Sequence, residues 1–345
     1  MLTGRPLLLW CLLGMMLIVV YAPMLAGAPV YEEMDHQTAM ADRALGVFPV
    51  LQLPGRQMTA ASFRLTEAVG GLGAQRAGNL ALHLIIGALL VSLARMMSEA
   101  PLTPWLAILV FWFHPLQSET VSYAAARAEL VSVACLLAAI LTYLRWGGGW
   151  MGTVGCAAWL LLAAMSKEIA VLGLALILVT VITLGKPWAP WRWAVAGACA
   201  AVLLFVWPGG ARGIGFVTQA MPVQAHVTSH LSSTWGYVWS FLTFQGLTID
   251  RGIVGPMMSW SVWASVGVAV TGLAIWRWRL RWPLLAWATA WTAIWWAPRL
   301  LVDTPDLISE RHTYLPMVAW SIALGHGIAS LAPDLFPLYR QESVV

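Results

Sequence analysis

Ten mostly apolar stretches follow one another along the chain, near 6–28, 77–97, 103–116, 128–146, 150–165, 168–185, 191–208, 259–276, 282–298 and 313–332. A hydrocarbon layer about 30 Å thick takes about 20 apolar residues as helix, so this succession reads as a polytopic membrane protein. The third and fifth runs are short and need tilt, a kink or help from their neighbours. Segments of alternating hydrophobicity are missing, which argues against a β-barrel. Composition agrees: 60% of the 345 residues are hydrophobic and 10% are charged, against about a quarter charged in a soluble chain. A soluble enzyme, a coiled coil and a disordered chain are excluded together. The formal charge of +4 is scattered over many loops and makes no nucleic-acid stripe. Cys11, Cys135, Cys156 and Cys199 sit singly inside apolar runs, as small hydrophobes do. The expected fold is all-α, with about ten transmembrane helices in a domain spanning 1–332 and a short tail over 333–345.

Ala26-Gly27-Ala28 mimics a signal-peptide cleavage site, but the apolar stretch before it is long and reads as an uncleaved first helix. Short basic loops set orientation. If the ten runs alternate, Arg5, Arg95, Arg145, Lys186 with Arg192, the cluster Arg277, Arg279, Arg281, and Arg340 share one side, which is then cytoplasmic with both termini. Trp146, Trp150, Trp188, Trp191, Trp193, Trp276, Trp278 and Trp282 mark that edge as an interfacial belt, and anchoring accounts for most of the 22 tryptophans. Residues 226–247, within an outer loop 209–258, carry Trp235 and Trp239 one turn apart. Were this segment to cross, the Arg277–Arg281 cluster would land outside, so it is expected to be an interfacial or re-entrant helix. Ten of the 19 cations, Arg56, Arg127, Lys167 and Arg311 among them, then share the outer side with most of the carboxylates. Cations at helix ends are costly unless paired or wet, which points to a polar cavity opening there.

Four constellations could carry chemistry. The first outer loop, 29–76, opens with Glu32-Glu33 and later holds Arg56. Adjacent carboxylates near lipid can act as a general base, since burial and a like charge raise their pKa; a solvated acidic loop is the plainer reading. The second is His114-Pro115-Leu116-Gln117-Ser118-Glu119, followed by Arg127-Ala128-Glu129. Arg127 and Glu129, two apart, cannot face each other on a helix, so each needs another partner. The result is either a network across helices or an Arg–Glu structural clamp. The third is Ser166-Lys167-Glu168 between two apolar runs, and the fourth is Glu310-Arg311-His312-Thr313-Tyr314 at the entry of the last helix. Arg and Lys at such places suit phosphate oxygens. His312 is either a proton shuttle or an inert, exposed loop histidine. His83, one turn after Asn79, reads as a partner for a neighbouring helix. The histidines have no ligand spacing, so neither a metal nor another cofactor is indicated. No Walker A loop, dinucleotide fingerprint or nucleophile elbow is present.

The order of these blocks resembles the transmembrane and tetratricopeptide-repeat O-mannosyltransferase-like family. His114-Pro-Leu-Gln-Ser-Glu119-Thr-Val with Arg127-Ala-Glu129-Leu is similar to that family's HP-x-x-[ST]-E-x-V and R-x-E-L block. Ser166-Lys-Glu168 resembles its SKE block, and Glu310-Arg-His-Thr-Tyr-Leu-Pro316 its ER-x-x-YLP. Ser62-Phe-Arg-Leu65 through Asn79 and His83 resembles TFRLN and N-x-x-LH. The resemblance implies a GT-C-like membrane glycosyltransferase, with a polyprenyl- or dolichyl-phosphate sugar as donor and an acceptor hydroxyl on the non-cytoplasmic face. Glu32 and Glu33 fall where the family usually carries Asp-Asp, and Arg56-Gln57 where Arg-Pro is usual. No tetratricopeptide region follows the last helix. The expected reaction is inverting glycosyl transfer in a bacterial cytoplasmic membrane, with Glu32 or Glu33 as base. Arg127, Lys167 and Arg311 would hold the donor phosphate, supported by Arg56, His114, Glu119, Glu129, Glu168, Glu310 and His312. A catalytically silent scaffold subunit is the alternative. A transporter or flippase is the weaker one, because no two-fold sequence repeat is visible.

Overall fold

A computed structural model describes residues 5–28, 56–146, 149–186, 223–247, 258–300 and 309–335. No strand occurs among them. The helices are α1 (Arg5–Leu25), α2 (Gln57–Glu67), α3 (Gly71–Met97), α4 (Thr103–Phe113), α5 (Ser118–Ser122) and α6 (Arg127–Trp146). After them come α7 (Trp150–Ala164), α8 (Gly173–Thr183), α9 (Val223–Thr243), α10 (Met258–Arg277), α11 (Pro283–Trp296) and α12 (Tyr314–Leu335). Short 3-10 turns precede α5, α6, α8 and α12.

Among the described residues four stretches are long and apolar enough to cross a membrane: Leu7–Leu25, Gly71–Met97, Ala124–Trp146 and Glu310–Leu331. They fit an integral membrane protein. Helices also occupy the other apolar runs except 191–208, which lies outside the described residues. Several of these are short, however: α4 and α8 have 11 residues each, a rise of about 16 Å. Such a helix covers only about half the hydrocarbon layer, so helix length alone does not support ten crossings. The polar stretch 29–76 also holds more structure than its polarity suggests, since α2 lies within it and α3 begins at Gly71. The segment 226–247 carries α9, a continuous 21-residue helix that is not among the four candidate spans.

The described residues fall into two compact units: 5–28, 56–86, 117–146 and 149–173 in the first, and the remainder in the second. In the first unit α6 and α7 form an antiparallel hairpin. α6 runs from Arg127 to Trp146, 20 residues or about 30 Å. α7 returns, and Lys167 just beyond it meets Glu129 at the start of α6. One end of the hairpin therefore carries Arg127, Glu129, Lys167 and Glu168, while the exposed Arg145, Trp146 and Trp150 mark the other. α1 lies along α3, with the Tyr21 ring edge-on to the buried His83 imidazole at 6.1 Å.

In the second unit α4 and α12 are antiparallel. Gly325 of α12 lies against Thr103 and Ala107, and Phe111 packs on Tyr314 with ring centroids 5.5 Å apart. A Cβ on Gly325 would stand 2.9 Å from the Ala107 nitrogen and 3.0 Å from the Thr103 oxygen. Backbone approach this close is what small residues permit between membrane helices. α11 runs beside α12, with the Trp320 indole donating to Thr292 Oγ1 at 2.8 Å. It also meets α8, where Trp287 and Trp291 both donate to Thr180 Oγ1, at 3.0 and 3.1 Å. Not every tryptophan is exposed as an anchor would be. Trp112, Trp287, Trp291 and Trp295 are core side chains with almost no exposed surface, whereas Trp146, Trp150, Trp276, Trp278 and Trp282 lie outside, as an interfacial belt requires.

Candidate functional site

In the first unit the polar residues gather where α2 docks onto the turn after α7. Three contacts staple the two together. The Met58 amide donates to the Met165 carbonyl at 3.1 Å, Thr59 Oγ1 donates to the Ser166 carbonyl at 3.0 Å, and Arg56 grips Glu168. That last pair is a fork: Arg56 Nη2 lies 2.7 Å from Glu168 Oε1 and Nε 3.3 Å from Oε2. Its side chains are 19% and 42% exposed, so the pair stands at the rim. The Ser166-Lys167-Glu168 turn presents its two charges in opposite directions. Glu168 goes to Arg56 at the rim, while Lys167, 17% exposed, reaches inward to Glu129, which is 1% exposed. A buried carboxylate demands such a counter-charge, because burying it alone costs several kcal/mol, on the order of 3–5 when one partner is removed.

Arg127 is held differently from what its proposed phosphate role requires. It is 1% exposed, and its guanidinium is bound on three sides by protein acceptors. Nε donates to Asn79 Oδ1 at 2.8 Å, Nη1 to Thr66 Oγ1 at 2.7 Å and to the Ser62 carbonyl at 3.1 Å, and Nη2 to the Gln75 carbonyl. Its carbon also sits 4.5 Å from the centre of the Phe63 ring. Asn79 completes the link by donating to the Tyr123 carbonyl at 2.9 Å. Gly78 makes room for the guanidinium, since a Cβ there would come within 2.7 Å of Arg127 Nη2 and of Thr66 Cγ2. This is a clamp joining α2, α3 and α6. It is not the Arg–Glu clamp that the sequence suggests, because every one of these acceptors is uncharged. Glu119, at the start of α5, is buried in the same unit.

In the second unit the ends of α4, α9 and α11 meet the start of α12. The Leu116 amide donates to His114 Nδ1 at 3.1 Å, so the ring proton is on Nε2, which lies 2.9 Å from the Phe241 carbonyl. The imidazole is stacked between Phe241 and Phe244, with centroids 5.1 and 4.9 Å away. Phe244 ends α9 with φ of 59°, a left-handed conformation that costs a bulky residue about 1–2 kcal/mol. Tyr237 Oη donates to the Ser309 carbonyl at 2.9 Å and the Trp296 indole to the His312 carbonyl at 3.0 Å, which fixes the turn Glu310–Thr313 on both sides. Within it Glu310 and His312 are buried and Arg311 is half-buried. His312 is therefore not the exposed loop histidine of the plainer reading.

The sequence-derived site residues thus fall into two groups. Arg56, Glu119, Arg127, Glu129, Lys167 and Glu168 belong to the first unit; His114, Glu310, Arg311 and His312 belong to the second. Glu32 and Glu33 lie outside the described residues. Among the described residues no three His, Cys, Asp or Glu side chains come together in a way that could hold a metal ion.

Sequence reasoning missed Arg76, which donates to the Met24 and Gly27 carbonyls at 2.7 Å and to the Ala28 carbonyl at 2.8 Å. It caps α1, where the orphan carbonyls of a helix end attract a cation. Nothing in the chain near Arg76 singles it out. The face by which α2 meets Arg127 and the Ser166 turn carries a weak signal: Thr59, Phe63 and Thr66 recur at helical spacing. Comparison of the chain with protein-family models, with curated proteins and with solved structures finds no match.

Proposed function

We propose that the chain is an inverting membrane glycosyltransferase that moves a sugar from a polyprenyl-phosphate-linked donor to an acceptor hydroxyl on the non-cytoplasmic face. The topology belonging to this reading has about ten crossings, cytoplasmic termini and α9 lying at the outer interface of a bacterial cytoplasmic membrane. The observation that carries it is the graded charge at the mouth of the first unit. Lys167 stands partly exposed over a buried Glu129, beside a rim pair, Arg56–Glu168.

In the reaction, Glu32 or Glu33 accepts the proton of the acceptor hydroxyl, whose oxygen forms a bond to the anomeric carbon. The bond from that carbon to the lipid phosphate breaks, and its electron pair leaves with the phosphate oxygen. Lys167 stabilises that developing charge, a contribution usually worth several kcal/mol in a water-poor site. Arg127 acts by positioning α2, because its guanidinium is engaged with Asn79, Thr66, Ser62 and Gln75. The same engagement favours a second reading, a catalytically silent scaffold, since Arg56, Arg127 and Lys167 all meet protein partners.

Glu32→Gln and Glu33→Gln decide between the two. Both should insert normally, and one should lower transfer about 10²-fold, as removal of a general base does. Purified protein should bind a polyprenyl phosphate. If it binds none, and both variants leave the cell's glycans unchanged, the scaffold reading replaces catalysis.

A further inference from the structure

The turn joining α10 to α11 reads Trp276-Arg277-Trp278-Arg279-Leu280-Arg281-Trp282, and every one of these residues is exposed. Positive charge at such a turn is needed for orientation alone. Two features of its geometry go beyond that need. First, two of the three guanidiniums lie against tryptophan rings. Arg279 lies 4.4 Å over the Trp276 ring and donates through Nη1 to the Trp276 carbonyl at 3.0 Å, and Arg281 lies 6.0 Å from the Trp282 ring centre. Stacking of this kind holds the planar fork before a ligand arrives, and the fork matches phosphate oxygens. Second, the tip is apolar. Leu280 between two arginines is 90% exposed, and removing a leucine side chain from water is favourable. Water is a poor surrounding for that side chain. The boundary between headgroups and acyl chains is a good one.

The apolar surface also continues from the turn. Val266, Val270, Leu273 and Trp276 are all exposed along α10, and their spacing of three and four places them on one face of the helix. The turn stands at the end of α11 opposite Trp296, 14 residues away or about 20 Å, and so far from the His312 turn to which Trp296 is bonded. We propose that this corner binds an anionic phospholipid. Its phosphodiester would sit among Arg277, Arg279 and Arg281, and an acyl chain would lie along the Val266–Leu273 face. Basic residues near a membrane surface select anionic lipids in this way. The inference is independent of the glycosyltransferase reading.

The test is native mass spectrometry of the intact protein released from detergent in equimolar phosphatidylglycerol and phosphatidylcholine of identical acyl chains. The wild type should retain phosphatidylglycerol in clear excess, and equimolar inorganic phosphate should not displace it, because the acyl contact is missing. Arg279→Gln should weaken retention about fivefold, and the triple Arg277→Gln, Arg279→Gln, Arg281→Gln about a hundredfold, from the contribution expected of each basic residue at an anionic surface. The triple lysine variant keeps the orienting charge, so it remains usable if the glutamine variant fails to insert. It should lose part of the preference through loss of fork and stacking. Equal retention of both lipids by the wild type, an unchanged preference in the triple lysine variant, or displacement by equimolar inorganic phosphate would each overturn the proposal.

Discussion

Arg127→Met, paired with Asn79→Leu, tests whether the buried arginine is a clamp. Methionine keeps the length of the stem and removes the guanidinium. Of the acceptors left behind, the Ser62 and Gln75 carbonyls belong to helices, and Thr66 Oγ1 still donates to Gln75 Oε1 at 2.5 Å. Asn79 Oδ1 loses its donor outright, in a side chain with no exposed surface. A buried acceptor orphaned in this way costs about 1–3 kcal/mol. Losing the contact with Phe63 adds up to about 2 kcal/mol when desolvated. Against these stands the relief of no longer burying a cation, so the net loss for Arg127→Met should be about 1–3 kcal/mol. Arg127→Ala also leaves a cavity and should cost about 3–5 kcal/mol.

Asn79→Leu strands the other half of the contact, the arginine Nε–H, while the Tyr123 carbonyl keeps the Ala126 amide at 3.0 Å, and should cost about as much as Arg127→Met. With both changed, no orphan remains between positions 79 and 127, and the double variant should recover at least about 1 kcal/mol relative to the sum of the singles. Equilibrium unfolding in mixed micelles by added SDS measures the cycle. Additivity within about 0.5 kcal/mol would refute the clamp. The same variants also test the role in donor binding. If Arg127 positions α2 and does not touch phosphate, folded Arg127→Met should bind polyprenyl phosphate within about twofold of wild type, a difference of about 0.4 kcal/mol.

Arg56→Ala and Glu168→Ala should each cost no more than about 1 kcal/mol, because their pair is partly exposed. Exchanging the two charges should restore the loss in the same unfolding assay. Gly325→Leu should destabilise by about 1–3 kcal/mol or more, because backbone atoms of α4 block the added side chain and cannot rotate away. Gly327→Ala, which meets nothing within 4 Å, should be neutral or stabilise by up to about 1 kcal/mol; equal effects at the two positions would count against close packing of α4 on α12. His114→Phe preserves the stacking on Phe241 and Phe244 but removes the Nε2 donor, and should cost about 1 kcal/mol. Nitrogen NMR of the wild type should show the proton on Nε2.

Apolar length and turn chemistry make most helix positions legible in the sequence, because in lipid the backbone must satisfy itself within each helix. The same principle hides other features. α2 sits in a polar stretch whose helical face is made of Thr59, Phe63 and Thr66, so hydrophobicity does not reveal it. The charges were legible as residue types but not as partners. Arg127 and Asn79 are 48 positions apart, Arg56 and Glu168 112 apart, and no local rule links residues over such distances. Type alone also misleads about role. In a chain with few charges, each buried cation must take whatever acceptors the packing provides, and an arginine suited to phosphate is equally suited to two helix carbonyls, a hydroxyl and an amide. Arg127 is of the second kind. Lys167 is placed between the two, with a buried carboxylate behind it and partial exposure in front. That difference in exposure, not the difference between arginine and lysine, is what makes Lys167 the stronger candidate to meet a substrate.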